Sequence, residues 1–174
     1  MNSNLPKTIF ITGATSGFGK ATAKLFNKNG WQTVITGRRA DRLEEIAEEL
    51  GEGCLPLSFD VSDRRSVKSA IENLPPNFNK ISVLCNNAGL ALGLEGADNA
   101  NLDDWDQMID TNIKGLVYAT RNILPLMIED GEGLIINLGS VAGAYPYPGG
   151  NVYGGTKAFV SQFSLNLRAD LVGK

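Results

Sequence analysis

Residues 8–29 read TIFITGATSGFGKATAKLFNKN, and this run decides the fold. Thr8–Thr12 is β-branched and aromatic, the composition of a buried strand. It enters glycines at Gly13, Gly17 and Gly19 and then a helical stretch, Lys20–Asn29. A strand, a tight turn and a helix start therefore follow one another without a linker. Glycines let a backbone turn sharply and come close to a pyrophosphate, whose charge can sit on the free N–H groups and positive end of the helix. The spacing is G-x-x-x-G-x-G rather than the commoner G-x-G-x-x-G. Taken alone, such a turn also reads as a simple loop.

The same alternation continues along the chain. Strands are expected at Lys7–Thr12, Trp31–Gly37, Cys54–Phe59, Ile81–Cys85 and Gly133–Gly139. Amphipathic helices are expected at Lys20–Asn29, Ala40–Leu50, Asp63–Leu74, Leu102–Ile128 and Tyr153–Val172. Apolar strands of this kind need cover on both faces. The reading is an α/β fold, a doubly wound parallel sheet of Rossmann type, with a ligand crevice at the carboxyl ends of the strands.

Composition narrows the function classes. The 174 residues are 43% hydrophobic and 20% charged, enough for one substantial core and a single domain over residues 1–174. Sixteen basic against nineteen acidic residues leave a net charge of −3, with no basic tract. Neither nucleic acid nor an anionic membrane is expected as a partner. No leader and no membrane-length apolar run are visible, so the cytoplasm is the expected compartment. Cys54 and Cys85 each lie in an apolar strand-like run and are expected as buried free thiols. The chain has no histidine, which excludes His-based triads and His-containing metal sites, and no metal is expected.

The second strand ends VITGRR, with no carboxylate before Asp41. An NAD site of this type usually offers an acid there to the ribose 2′-OH. Arg38 and Arg39 match a phosphate instead, through charge-assisted and bidentate bonds. The other reading is that they open a solvated helix, since ADRLEEIAEEL follows with good i,i+4 pairing, but their position after the second strand favours the phosphate. The third strand runs into Asp60 and Val61; Asp60 could accept from an adenine amino group or cap the helix near Asp63. The fourth runs into NNAG, Asn86–Gly89, which either leaves room for a ribose or simply turns. Tyr153 and Lys157 lie four apart on a helix and share a face, and Ser140 closes the fifth strand at INLGS. By itself a Tyr-x-x-x-Lys pair also reads as an ordinary exposed helix pair.

The ordered set TGATSGFG, NNAG, Asn112, Ser140 and Tyr153-x-x-x-Lys157 resembles the short-chain dehydrogenase/reductase family over essentially the whole chain. The stretches TGRR, NNAGLALG, IDTN and GGNVYGGTKAFVSQFSLNLR are most similar to its NADP-dependent 3-hydroxy acid dehydrogenases, including those acting on serine or allo-threonine. The resemblance implies NADP as cofactor, a small hydroxy acid or carbonyl compound as substrate, and a homo-oligomer, dimer or tetramer. It implies Tyr153 as acid/base, Lys157 as its activator and ribose ligand, Ser140 as the substrate-oxygen anchor, and Asn112 as support of a proton-relay water. It assigns Gly13, Thr15, Ser16, Gly17, Phe18, Gly19, Arg38, Arg39, Asp60, Val61, Asn87, Ala88 and Gly89 to the cofactor, with Tyr153 and Lys157. Substrate choice is expected to lie in the loops Leu90–Gly96 and Val141–Gly150, the latter carrying Tyr145 and Tyr147.

Those residue types suit the chemistry. A free tyrosine titrates near pH ~10, so keeping it ionised near neutrality needs roughly 4 kcal/mol of phenolate stabilisation. A neighbouring lysine and a positive nicotinamide supply it, and the phenolate can then take an alcohol proton as hydride leaves. The resemblance also implies a further strand, a substrate-covering segment and a last strand beyond Lys174, so the sequence is expected to be C-terminally incomplete. A protein ending there is expected to leave the fifth strand's edge unpaired, expose Phe159 and Phe163, associate, and lack dehydrogenase activity. The alternative function is a non-catalytic NADP-binding or interaction module that keeps only the adenosine half-site.

Overall fold

The computed structural model describes residues 7–174. Among them five strands form one sheet: β1 (Thr8–Ile11), β2 (Gln32–Gly37), β3 (Cys54–Ser58), β4 (Ile81–Asn86) and β5 (Leu134–Asn137). All pairings are parallel, in the order β3-β2-β1-β4-β5. The chain winds outward from β1 to β3, then returns to β4 on the other side of β1. That reversal opens a crevice above the carboxyl ends of β1 and β4, where this class of sheet binds its ligands.

The helices are α1 (Gly17–Lys28), α2 (Ala40–Leu50), α3 (Arg64–Glu72), α4 (Leu102–Ile109), α5 (Leu116–Asp130) and α6 (Asn151–Asp170). Successive strand residues point to opposite faces, so β1 splits its side chains between two cores. Ile9 and Ile11 join Ile35, Val83 and Cys85 beneath Ala23 of α1 and Leu43 and Ile46 of α2. Phe10 joins Val34 and Leu84 beneath Val67 and Ile71 of α3 and Ala119, Ile123 and Met127 of α5. Burial on both faces explains why the strands read as unbroken apolar runs rather than as alternation. Each fully buried Ile or Phe contributes roughly 1.5–3 kcal/mol, which makes β1 the central strand energetically as well as spatially. Cys54 is half-buried and Cys85 buried, and both are free thiols.

Two expected boundaries move for physical reasons. The glycine turn is shorter than expected, since α1 begins at Gly17 and not Lys20. Gly17 enters the helix with φ +55°, a left-handed conformation that glycine adopts without a Cβ clash, and Gly19 packs against Asn87 with no room for a side chain. The single helix expected over Leu102–Ile128 is α4 and α5 separated by a wide π-helical turn, Asp110–Gly115. That turn carries Asn112 inward, where it is 2% exposed. Residue periodicity near 3.6 does not distinguish an i→i+5 turn from its neighbours. β5 is one of the two edge strands of the sheet among the described residues, and Leu134 at its start is exposed. Phe159 and Phe163 of α6 are half-buried and stack on each other with centroids 5.5 Å apart.

Candidate active site

A cleft of about 960 Å³ lies at the carboxyl ends of β1–β4 and is closed on one side by α6. Its floor is the turn after β1. Gly13 adopts φ +68°, and a Cβ there would stand 2.7 Å from Ala88 Cα. Gly19 is as tight, with Asn87 Nδ2 2.5 Å from where its Cβ would be. The NNAG segment therefore presses directly on the glycine turn. Asn87 Nδ2 donates to the Thr12 and Gly13 carbonyls, each at 2.8 Å, and Thr12 Oγ1 accepts from Asn87 N and Ala88 N at 3.1 and 3.0 Å. Asn86 faces the other way: it donates to Thr120 Oγ1 at 2.9 Å and to Asn137 Oδ1 at 2.8 Å, tying β4 to α5 and β5. These bonds make NNAG a brace for the floor as well as a turn.

The β2 end of the cleft carries the charge. Arg39, at the N-cap position of α2, donates to Thr15 Oγ1 and to Ser16 Oγ, the latter at 3.3 Å. Arg38 Nη1 lies 3.9 Å from Asp60 Oδ2, with the two side chains 59% and 40% exposed. So open an ion pair is worth little, and the guanidinium can exchange it for a phosphate. Asp60 Oδ1 accepts from Ser62 N at 2.9 Å and from Ser62 Oγ at 2.7 Å, a local turn after β3. Capping of α3 falls to Asp63, which accepts from Arg65 N at 3.0 Å. Phe18 is 81% exposed at the cleft lip, on the first turn of α1.

The α6 side carries the proton-transfer candidates. Lys157 is 7% exposed and its Nζ donates to the Leu138 carbonyl at 2.8 Å, so the ammonium is fixed at the end of β5. It lies 5.9 Å from the Tyr153 ring centroid. Burial pulls its pKa below the ordinary 10.5. Ser140 Oγ accepts from Ala142 N at 3.2 Å, which anchors the 3₁₀ turn Val141–Gly143. This turn presses on α6 where two glycines face it: a Cβ at Gly143 would meet the Lys157 backbone at 2.7 Å, and one at Gly154 the Ala142 carbonyl at 2.9 Å. Close backbone approach at these positions sets the spacing between Ser140 and Tyr153. The loops Leu90–Gly96 and Val141–Gly150 meet at Gly149, whose Cβ would fall 2.4 Å from the Leu94 carbonyl.

Of the residues singled out in the sequence, Gly13, Thr15, Ser16, Gly17, Phe18, Arg38, Arg39, Asp60, Val61, Asn87, Ala88, Gly89, Tyr153 and Lys157 line this one cleft. Gly19 lies beneath its floor; Ser140 follows the lining residue Gly139; Asn112 is buried behind Leu90, bonding its backbone in both directions at 2.9 Å. The cleft also uses Leu90 and Ala91, from the loop expected to govern substrate choice, and Thr22, Gly37, Phe59, Thr111, Leu138 and Gly139, which sequence reasoning did not assign to the site. Thr22 had a signal, one turn beyond Gly19 on α1. Leu138 had none, because it acts through a backbone carbonyl.

Known proteins match this arrangement closely. Serine 3-dehydrogenase of Rhizobium radiobacter is 56% identical over 167 residues, covering 96% of this chain and 67% of that protein. NADP-dependent 3-hydroxy acid dehydrogenase YdfG of Salmonella typhi is 54% identical over 165 residues, covering 95% of this chain and 66% of that protein. The chain thus spans about two thirds of the length of the curated relatives it matches. The solved structure described as the closed form of serine dehydrogenase complexed with NADP+ superposes with a TM-score of 0.94 at 52% identity, covering 95% of this chain and 67% of that one. The family description for short chain dehydrogenases matches residues 7–174, and the chain belongs to that family.

Proposed function

We propose that this chain forms the cofactor-binding and proton-transfer part of an NADP-dependent oxidoreductase that interconverts a small 3-hydroxy acid and its 3-oxo acid. The observation that carries the reading is one cleft that holds two arginines at its β2 end and the Tyr153–Lys157 pair on α6. Similarity to relatives named for NADP, serine and 3-hydroxy acids supports the same choice.

The residues present fit the cofactor. Gly13 and Gly19 let NNAG pack directly on the glycine turn, and Gly17, which lines the cleft at the start of α1, places no side chain over the free N–H groups of the helix end, as a pyrophosphate requires. Arg38 and Arg39 are the partners for a ribose 2′-phosphate, with the Thr15 and Ser16 hydroxyls within Arg39's reach. When bound, NADP+ supplies the hydride acceptor and NADPH the donor.

The remaining chemistry belongs to the chain. Tyr153 takes the proton of the substrate hydroxyl in oxidation and returns it in reduction. Lys157, held on the Leu138 carbonyl, keeps a cation beside the Tyr153 ring while the proton moves. Ser140 donates to the same substrate oxygen and fixes its position. The test is to titrate the protein with NADPH and NADH by fluorescence and to follow NADPH oxidation with a short 3-oxo acid. Tighter binding of NADPH supports the cofactor half and equal affinity overturns it; turnover is read in a protein of the relatives' full length, where its absence overturns the catalytic half.

A further inference from the structure

Thr156 takes no part in the chemistry above, yet it is 1% exposed and lies between the two residues of the Tyr-x-x-x-Lys pair. Its hydroxyl makes two bonds. It accepts from Asn112 Nδ2 at 3.0 Å and donates to the Tyr153 carbonyl at 2.8 Å. Asn112 Nδ2 also donates to the Leu90 carbonyl at 2.9 Å, and Asn112 Oδ1 accepts from Leu90 N at 2.9 Å. Both amide hydrogens of Asn112 are therefore committed. The result is a continuous link from the Leu90 backbone through Asn112 and Thr156 to the first turn of α6. Leu90 and Tyr153, its two ends, both line the cleft.

We propose that Thr156 is a positioning residue whose hydroxyl sets the Tyr153 turn against the Leu90 wall of the cleft. Its effect on turnover rests on the proposed hydride-transfer function; the link itself does not. The hydroxyl is required because the Asn112 side chain is buried, and an apolar replacement leaves one of its N–H groups without an acceptor. With one of three restraints gone, the Asn112 amide no longer holds Leu90 and α6 in fixed relation.

The experiment compares Thr156→Val, which keeps the shape, with Thr156→Ser, which keeps the hydroxyl, in the whole chain. Three readouts are used: amide exchange at Leu90, the Tyr153 ring signal in ¹³C-tyrosine spectra assigned with Tyr153→Phe, and NADPH oxidation kinetics. In Thr156→Val, Leu90 exchange should rise about tenfold, the Tyr153 signal should move, and kcat should fall about tenfold while the KM for NADPH stays within about threefold. Thr156→Ser should restore all three. If Thr156→Val does not fold, Thr156→Ala takes its place in the comparison with Thr156→Ser. Unchanged Leu90 exchange and Tyr153 signal in the hydroxyl-free variant overturn the proposal. So does equal damage in Thr156→Ser, which would assign the effect to the methyl group. An unmutated protein of the relatives' full length without turnover refutes the hydride-transfer reading, while the exchange and tyrosine signals still decide the link.

Discussion

Replacing Gly13 by alanine should cost far more stability than the same change at Gly17, although both glycines have positive φ, +68° and +55°. Each change forces an L-residue into the left-handed region, at roughly 1–2 kcal/mol. Each also removes unfolded-chain entropy, a gain of about 0.4–1 kcal/mol that cancels in the comparison. The difference comes from what the new methyl meets. At Gly17 nothing lies within 4 Å, so the penalty stops at strain. At Gly13 the methyl falls 2.7 Å from Ala88 Cα and 3.1 Å from both Ala88 N and Asn87 Nδ2. The closest of these atoms are backbone, and Ala88 N is held by Thr12 Oγ1 at 3.0 Å, so the neighbour cannot rotate away. Overpacking of this kind adds roughly 1–3 kcal/mol. Gly13→Ala should therefore be destabilised by ~2–4 kcal/mol and Gly17→Ala by ~1 kcal/mol, against a total near 5–15 kcal/mol for a domain. In a chain of this size the separation of ~1–3 kcal/mol corresponds to roughly 2–12 °C in Tm. Urea unfolding followed by Trp31 and Trp105 fluorescence measures both variants on one scale. Gly13→Ala and Gly17→Ala of equal stability would refute the claim that NNAG packs rigidly on the glycine turn.

Three further outcomes are expected. Arg38→Ala should remove most of a preference for NADPH over NADH of at least about tenfold, near 1.4 kcal/mol, because the exposed Asp60 pair it leaves is worth little; fluorescence titration of both cofactors reads it, and an unaltered preference would transfer the role to Arg39. In a complete enzyme, Tyr153→Phe should abolish nearly all NADPH oxidation while leaving NADPH affinity within about threefold, since the phenol oxygen moves the proton rather than holding the cofactor; turnover within a few fold of the unmutated protein contradicts the acid/base assignment. Burial pushes the Cys85 thiol from 9.0 up to about 11, so between those pH values the unfolded chain loses a proton that the folded one keeps, and stability falls as pH rises through the window. The loss reaches at most ~3 kcal/mol and is about 1 kcal/mol at pH 10, and Cys85→Ala should lack it. Guanidinium unfolding at pH 7 and 10 compares the two proteins; an identical alkaline loss in Cys85→Ala counts against this cause.

The fold was legible because its elements are written locally. Five apolar runs, each followed by an amphipathic stretch, specify strands with helices on both faces, and each observed strand falls within about two residues of its expected span. The position of the cleft was legible too, because the ends of those strands carry the glycines, arginines and small residues that an exposed polar crevice needs. Ambiguity survived wherever one residue type suits two local roles. Asp60 could cap or bind, and only the observed Asp63–Arg65 bond assigns the cap. Arg39 could begin a solvated helix or face a ligand; it occupies the N-cap position and reaches back to Thr15 and Ser16 at once.

Sequence by itself determined the strand-and-helix order, the two-sided burial of the sheet and the placing of Tyr153 and Lys157 on one face of α6, since all three follow from side-chain period and polarity along neighbouring residues. Tertiary structure alone decided the π-helical turn that buries Asn112, the carbonyl of Leu138 that fixes Lys157, and the pressure of NNAG on the glycine turn. The contacts of Asn112 with Thr156 and of Asn87 with Thr12 join residues 44 and 75 positions apart. Backbone carbonyls and close approaches of this kind depend on how packed elements meet, and no local pattern of side chains encodes that distance.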